Sequence, residues 1–281
     1  MTVQTLDTGF FKLDGGAMFG VVPKSLWNKL NPADERNLCS WALRCLLIDD
    51  GNRLILVDTG MGDKQDARFF GHYDLHGDAS LLNSIRQAGY AETDITDVLL
   101  THLHFDHVGG AVKRESDGQL IPTFQNATYW THSGHWQWAT HPNPREKASF
   151  LSENILPIQE SGQLSFMDKT PVDLPGLELI YVDGHTEKMA LPKLVINGQT
   201  FLFCADLLPS SYHIPMPYVM SYDLSPLLTM DEKARILTQA AAENWILVFE
   251  HVPVVEAATV VMTENGVKIK DKGALREFIQ S

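Results

Sequence analysis

Apolar positions fall along this chain in short runs closed by turn residues, with one long helical stretch near the end. Residues 40–48 (SWALRCLLI) and 53–57 (RLILV) read as two strands. The turn composition Asp49-Asp50-Gly51-Asn52 joins them into a predicted β-hairpin, and Asp58-Thr59-Gly60 closes it. From Asp78 the spacing becomes helical, with Asp78 as N-cap, Leu81, Leu82, Ile85 and Ala88 on one face and Gly89 as the stop signal. Residues 95–100 return to a strand and complete a β–α–β passage. A polar hairpin follows over 113–120, then a strand near 127–131 and a short surface helix over 145–155. The second half resumes strands at 177–182, 194–196, 200–204 and 246–249, with Asn197-Gly198 as a hairpin turn and a helix over 230–242. This alternation predicts an α/β layered architecture. The first fourteen residues alternate poorly, and 17–27 (AMFGVVPKSLW) reads as an apolar loop. That loop is expected either to pack on the core or to line a pocket mouth through Met18, Phe19, Val21 and Val22.

The chain has 281 residues, 44% of them apolar, which is near the upper size for one hydrophobic core and predicts a single domain over residues 1–281. A net charge of −13 argues against a nucleic-acid partner, which would need clustered Lys and Arg. No run reaches the 18 apolar residues of a membrane span, and the first residues lack a basic n-region followed by an apolar h-region. The expectation is a cytoplasmic protein with no membrane partner. Cys39, Cys45 and Cys204 sit at no metal-ligand spacing and read as buried free thiols.

The chemistry concentrates in residues 98–110, VLLTHLHFDHVGG. A short apolar strand ends at Thr101 and delivers His102, His104, Asp106 and His107 to its carboxyl end, where open α/β sheets place their sites. In an extended segment His102 and His104 point to one side and can grip one ion, while Asp106 and His107 on the following turn face a neighbouring one. Further polar residues wait just beyond other strand-like runs: Asp58, His185, Asp206 and His251. Asp58 either caps a turn or orients metal ligands from behind. The segment 130–141 (WTHSGHWQWATH) also holds histidines, but His132 and His135 have no carboxylate or Cys at useful spacing and are read as packing residues.

HLHFDH, with Asp58-Thr59-Gly60 upstream, Asp183-Gly184-His185-Thr186, Ala205-Asp206 and a strand-terminal His251 downstream, resembles the metallo-β-lactamase superfamily of metal-dependent hydrolases over about residues 40–255. The resemblance implies a four-layer αββα sandwich of two facing mixed β-sheets. It implies one divalent ion on His102, His104 and His185, a second on Asp106, His107 and His251, and Asp206 bridging both. Zinc is the expected metal, with iron, manganese or cobalt as alternatives. The implied reaction is the opening of a lactone, or cleavage of a related ester, by hydroxide held between the metals, with Asp106 and Asp206 as catalytic residues. The opening 17–27 stretch and the chain length are most similar to the branch containing N-acyl homoserine lactonases and the methyl parathion hydrolase group. That likeness implies a small-molecule ester or lactone substrate, a homodimer, and residues 1–39 partly covering the pocket. Alternatives are a phosphotriester or aryl ester hydrolase, a glyoxalase II-like thioesterase and a mononuclear iron persulfide dioxygenase. Two departures from the family pattern stand out: Glu187-Lys188-Met189 replaces the usual Gly-His, and Pro209 stands where several lactonases carry a Tyr. Tyr212 and His213 are the expected substitutes for that Tyr, and with Met18, Phe19 and Val21 they are the expected pocket residues.

Overall fold

The computed structural model describes residues 1–279. Its first half runs β1 (Thr2–Asp14), α1 (Gly15–Phe19), α2 (Lys24–Trp27), β2 (Leu38–Asp49), β3 (Leu54–Val57), α3 (Ala67–Phe70), α4 (Leu81–Gln87), β4 (Asp97–Leu99), α5 (Phe105–Val108), β5 (Val112–Arg114), β6 (Leu120–Pro122), β7 (Thr128–Thr131) and α6 (Ser133–Thr140). The second runs α7 (Ser152–Glu160), β8 (Leu164–Phe166), β9 (Leu177–Val182), β10 (Met189–Ile196), β11 (Gln199–Phe203), α8 (Pro226–Glu243), β12 (Ile246–Val248), β13 (Ala257–Thr263) and β14 (Gly266–Gly273).

Unbroken apolar runs such as Leu54-Ile55-Leu56-Val57 mark strands buried on both faces, and their alternation builds the layers. Leu54, Leu56, Cys45, Leu47 and Val98 point outward onto Ile85 of α4, Trp136 of α6 and Ile155 and Ile158 of α7. Ile55, Val57, Leu46, Ile48 and Leu99 point inward and share one core with Leu191, Phe201, Val248 and Ala258 of the other sheet. The first sheet has the order β1-β2-β3-β4-β7-β8, the second β14-β13-β12-β11-β10-β9, and β5 and β6 form a separate ribbon. Both sheets are mixed: β3, β4, β7 and β8 run parallel, as do β11 and β12, and the other pairs are antiparallel. The result is an α/β sandwich of two facing mixed sheets. No helix among the described residues is long and apolar enough to cross a membrane.

Because β3 and β4 share one direction, and β9, β11 and β12 share another through β10, the segments after these strands gather at one edge of the sandwich. Arg44, almost fully buried on β2, ties the sheets together there. Its Nη1 donates to the carbonyls of Phe249 (3.1 Å) and Val252 (2.9 Å), while Nε bonds the Asp7 carboxylate at 3.1 Å.

Several local expectations change. The poorly alternating N-terminus is a 13-residue strand, β1, because β2 supplies its hydrogen bonds from Thr2↔Asp49 to Asp14↔Leu38, with an irregularity after Asp7. The apolar 17–27 stretch contains two short helices, α1 being capped by Asp14, whose side chain accepts from Ala17 N at 2.9 Å. Ser80 rather than Asp78 is the N-cap of α4. The helix expected over 145–155 begins only at Ser152, since the Asn143 side chain accepts from the N–H groups of Arg145 and Glu146 and fixes a turn there. The Asn197-Gly198 hairpin forms as read, both residues having positive φ. The three cysteines are free and buried.

Replacing Arg44 by Met should lower unfolding stability by about 3 kcal/mol, because two buried carbonyls lose their donor. A urea midpoint shift at unchanged slope is the expected result.

Candidate metal centre

Tight backbone contacts hold the HLHFDH turn. Asp58, at a positive φ of 57°, accepts from the N–H (2.8 Å) and hydroxyl (2.6 Å) of Thr101. Thr59 donates to the His107 carbonyl through both N–H (2.7 Å) and Oγ1 (2.9 Å). Gly109 lets the two loops touch: a Cβ there would lie 1.9 Å from the Met61 carbonyl oxygen. On the other sheet, Glu232 of α8 accepts from the N–H groups of Asp183 (2.7 Å) and Gly184 (3.0 Å) and so sets the loop carrying His185.

All seven expected ligands come together, buried, at this edge. Each imidazole commits one nitrogen outward. His102 Nδ1 meets Thr101 Oγ1 at 3.1 Å, whose own proton goes to Asp58. His104 Nε2 faces Glu146 (3.4 Å), His185 Nδ1 faces Asp223 (2.9 Å) and His251 Nδ1 faces the Ala42 carbonyl (2.8 Å). His107 Nδ1 lies between two carboxylates, Glu250 at 3.1 Å and Asp58 at 3.2 Å. Since these partners are acceptors, the outward nitrogens carry the protons, and the inward nitrogens are left as lone pairs.

Those lone pairs converge. His104 Nδ1 and His185 Nε2 are 3.3 Å apart, as are His107 Nε2 and His251 Nε2. Asp206 sits among them, 3.1 Å from His251, 3.2 Å from His185, 3.6 Å from His107 and 3.9 Å from His102. Asp106 is 3.7 Å from His107 and 3.8 Å from His251. His102 Nε2 and Asp206 Oδ1 are buried with no hydrogen-bond partner. A buried focus of acceptors with no donor is what a cation satisfies. The side chains group geometrically as His102, His104, His185 and Asp206, and as Asp106, His107 and His251.

Without a cation, protons do that work. Against the desolvation of burial, the Asp206 carboxylate holds His185 up at about 10 and His251 at about 9. Burial, with Asp58 beside it, pushes Glu250 up to about 8.

Beside the cluster lies a cavity of about 350 Å³, whose wall includes His104, Asp106, His185, Asp206 and His251. Leu13, Met18, Phe105 and Met220 supply its apolar lining, and Tyr73, Tyr222, Arg145 and Ser149 its polar lining. Met18 and Leu13 are thus the N-terminal segment's contribution. The other expected pocket residues lie elsewhere. Phe19 is buried in a stack between Trp27 and His213, and Val21 points to solvent at 86% exposure. Tyr212 packs half-buried on the core, and His213 is fixed by Ser210 (2.7 Å) and the Met18 carbonyl (2.9 Å). Burial keeps His213 neutral, lowering it to about 3. The Glu187-Lys188-Met189 departure also turns away from the cavity: the Glu187 carbonyl bonds His135 (2.6 Å), Lys188 pairs with Asp183 (2.9 Å), and Met189 is buried.

The structure also settles the aromatic stretch. His132 caps α6, accepting from Gly134 N at 2.9 Å. His135 Nε2 accepts from Leu103 N at 2.9 Å, between His102 and His104, so both its nitrogens are spent. Sequence reading missed Glu146 and Asp223, which hold His104 and His185, and left Glu250 without a role. No spacing rule ties these carboxylates to the imidazoles they serve.

A family model for the metallo-beta-lactamase superfamily matches residues 44–251. An N-acyl homoserine lactonase of Bacillus thuringiensis is 26% identical over 172 residues, 58% of this chain, and the match spans 60% of that lactonase's own length. A protein described as a probable metallo-hydrolase of Mycobacterium tuberculosis is 27% identical over 262 residues, 79% of each chain. The structure of a probable metal-dependent hydrolase from Staphylococcus aureus matches with a TM-score of 0.88 at 26% identity, covering 97% of this chain and 96% of that one. AidC, a dizinc quorum-quenching lactonase, shares the fold with a TM-score of 0.79 at 19% identity, over 97% of this chain and 95% of its own.

Gly109→Ala should cost about 3 kcal/mol, because the methyl group meets backbone that cannot yield without moving the His107 turn. Chemical denaturation would show the loss, and an unchanged midpoint would mean that the two loops are not rigidly apposed.

Proposed function

This chain belongs to the metallo-beta-lactamase superfamily, and on that footing we propose that it is a two-metal hydrolase that opens lactones or cleaves related carboxylic esters. The observation that carries the reading is the set of inward lone pairs: five imidazoles with their outer nitrogens tied, facing the carboxylates of Asp106 and Asp206. In this reading His102, His104 and His185 would hold one ion and Asp106, His107 and His251 the other, with the Asp206 carboxylate available to both groups. Zinc is the proposed metal, in line with the dizinc AidC. Two divalent ions so held supply Lewis-acid polarisation and acidify water enough to give a nucleophile at neutral pH.

The chain's own residues do the rest. Water adds across the acyl–oxygen bond, leaving a carboxylate and an alcohol, which remain one molecule when the substrate is a lactone. Asp106, on the cavity wall beside the cluster, passes the proton of water to the departing oxygen. Leu13, Met18, Phe105 and Met220 seat the acyl part and exclude solvent. Lactones are favoured as substrates by the lactonase relatives, at 26% identity.

His104→Ala and Asp206→Ala should each lose bound metal and at least about 10³-fold in kcat/KM, about 4 kcal/mol of transition-state stabilisation. Full hydrolysis without metal in either variant sinks the reading. A kinetic panel of an N-acyl homoserine lactone, a γ-lactone, a phosphotriester and S-lactoylglutathione identifies the class, with a lactone preferred by about 100-fold. Metal binding is also expected to release protons. His185 and His251 titrate near 10 and 9, so at pH 7 the metal-free protein holds both protons, and zinc must displace them. Calorimetry in buffers of different ionisation enthalpy should show release of about two protons or more at pH 7. The release should shrink as pH rises through 9 to 10.

A further inference from the structure

We infer that Arg145 makes the cavity selective for esters or lactones that carry a carboxylate, or a similar anionic group, away from the bond that is cleaved. The inference rests on the hydrolase reading above and goes beyond it in naming the substrate's charge. Arg145 is the one Lys or Arg among the residues lining the cavity. The lining carboxylates are already engaged with imidazoles: Glu146 with His104, and Asp106 and Asp206 with the cluster. Arg145 forms no ion pair among the described residues. Its Nη2 donates instead to two neutral acceptors, the backbone carbonyls of Ser221 and, at 3.3 Å, Asp223. That anchorage joins two walls of the cavity and fixes the guanidinium at its wall, while Nε and Nη1 have no acceptor among the described residues.

The surroundings fit the same ligand. Ser149, Ser221 and Tyr222 line the same cavity, and their hydroxyls donate to no protein group among the described residues. Met18 and Met220 line the cavity as apolar surface. An amphipathic molecule satisfies both: its apolar body against the methionines, its anion on a planar fork with free donors and nearby hydroxyls. The protein as a whole carries a net charge of −13 and repels anions. A fixed, unneutralised cation in the cavity wall reverses that field locally, where it selects among substrates.

The test uses a matched pair of aryl esters on the metal-loaded protein: mono(4-nitrophenyl) adipate and its counterpart in which the terminal carboxylate is a carboxamide. The expected ratio of kcat/KM favours the carboxylate by about tenfold at low salt, a modest figure because Arg145 is solvent-exposed. In Arg145→Ala the ratio should fall to about one, mainly through KM, and in Arg145→Lys it should be intermediate because the charge stays and the fork is lost. Raising ionic strength should erode the ratio in the wild type but not in Arg145→Ala. A wild-type ratio of one or less, or an equal ratio in wild type and Arg145→Ala, overturns the inference. If neither ester is turned over and the panel above is inert as well, the hydrolase reading fails. Calorimetric binding of the uncleaved anionic ester to wild type and Arg145→Ala then still decides the assignment: tighter binding to the wild type supports it, and equal binding overturns it.

Discussion

Five imidazole lone pairs aimed at one buried carboxylate make an arrangement that cannot stand unassisted in a low-dielectric interior. His104 and His185 face each other at 3.3 Å, His107 and His251 do the same, and Asp206 lies among them with no neutral donor to satisfy it. Either protons or cations must fill this focus. The raised His185 and His251 are the protonic solution, and the buried groups of imidazoles and carboxylates are of the kind that could hold a metal ion. Much of the surrounding architecture serves to keep those nitrogens turned inward at the expense of local comfort: a positive φ at Asp58, close loop contact at Gly109, and two carboxylates on a single His107 nitrogen.

The scaffold supplies this control from both sheets. On the first, Asp58, Thr59 and Thr101 lock the HLHFDH turn to the end of β3. On the second, α8 works with two adjacent residues. Glu232 holds the loop of His185, and Lys233 donates to the carbonyls of Pro215 (2.8 Å), Met216 (3.2 Å) and Tyr218 (2.9 Å), fixing the segment that leads to Met220, Tyr222 and Asp223. Arg44 then clips the His251 segment across to β2. One helix and one arginine thus set the separation of imidazoles that come from strands far apart in the chain.

The cavity beside the cluster is built from different material. Its walls come from the N-terminal segment, from the turn around Arg145 and Glu146, and from residues 220–222. These same loops carry the groups that hold the imidazoles: Glu146 on His104, Asp223 on His185. Cavity-lining and imidazole-orienting residues are therefore neighbours in sequence, so a change in one wall shifts the geometry of the cluster as well.

The amino-acid sequence by itself determined which imidazoles and carboxylates gather, and the layer pattern. HxHxDH is dense enough to stand out, and Asp58, His185, Asp206 and His251 each follow a strand-like apolar run, so their gathering at one sheet edge follows from strand direction. Local chemistry also fixed the Asn197-Gly198 hairpin and the free cysteines. Tertiary structure alone decided the rest. The β1 strand exists because β2 pairs with it, which no alternation in residues 1–14 could announce. Phe19 and Val21 are expected at the pocket from their apolar stretch, and Tyr212 and His213 from the family resemblance, yet stacking, solvent, core packing and backbone hydrogen bonds take them away from the cavity. Glu146, Asp223 and Glu250 acquired their partners across 42, 38 and 143 positions of chain. Sequence spacing encodes contacts along one strand or helix; a carboxylate placed behind an imidazole by the meeting of two loops leaves no such period to read.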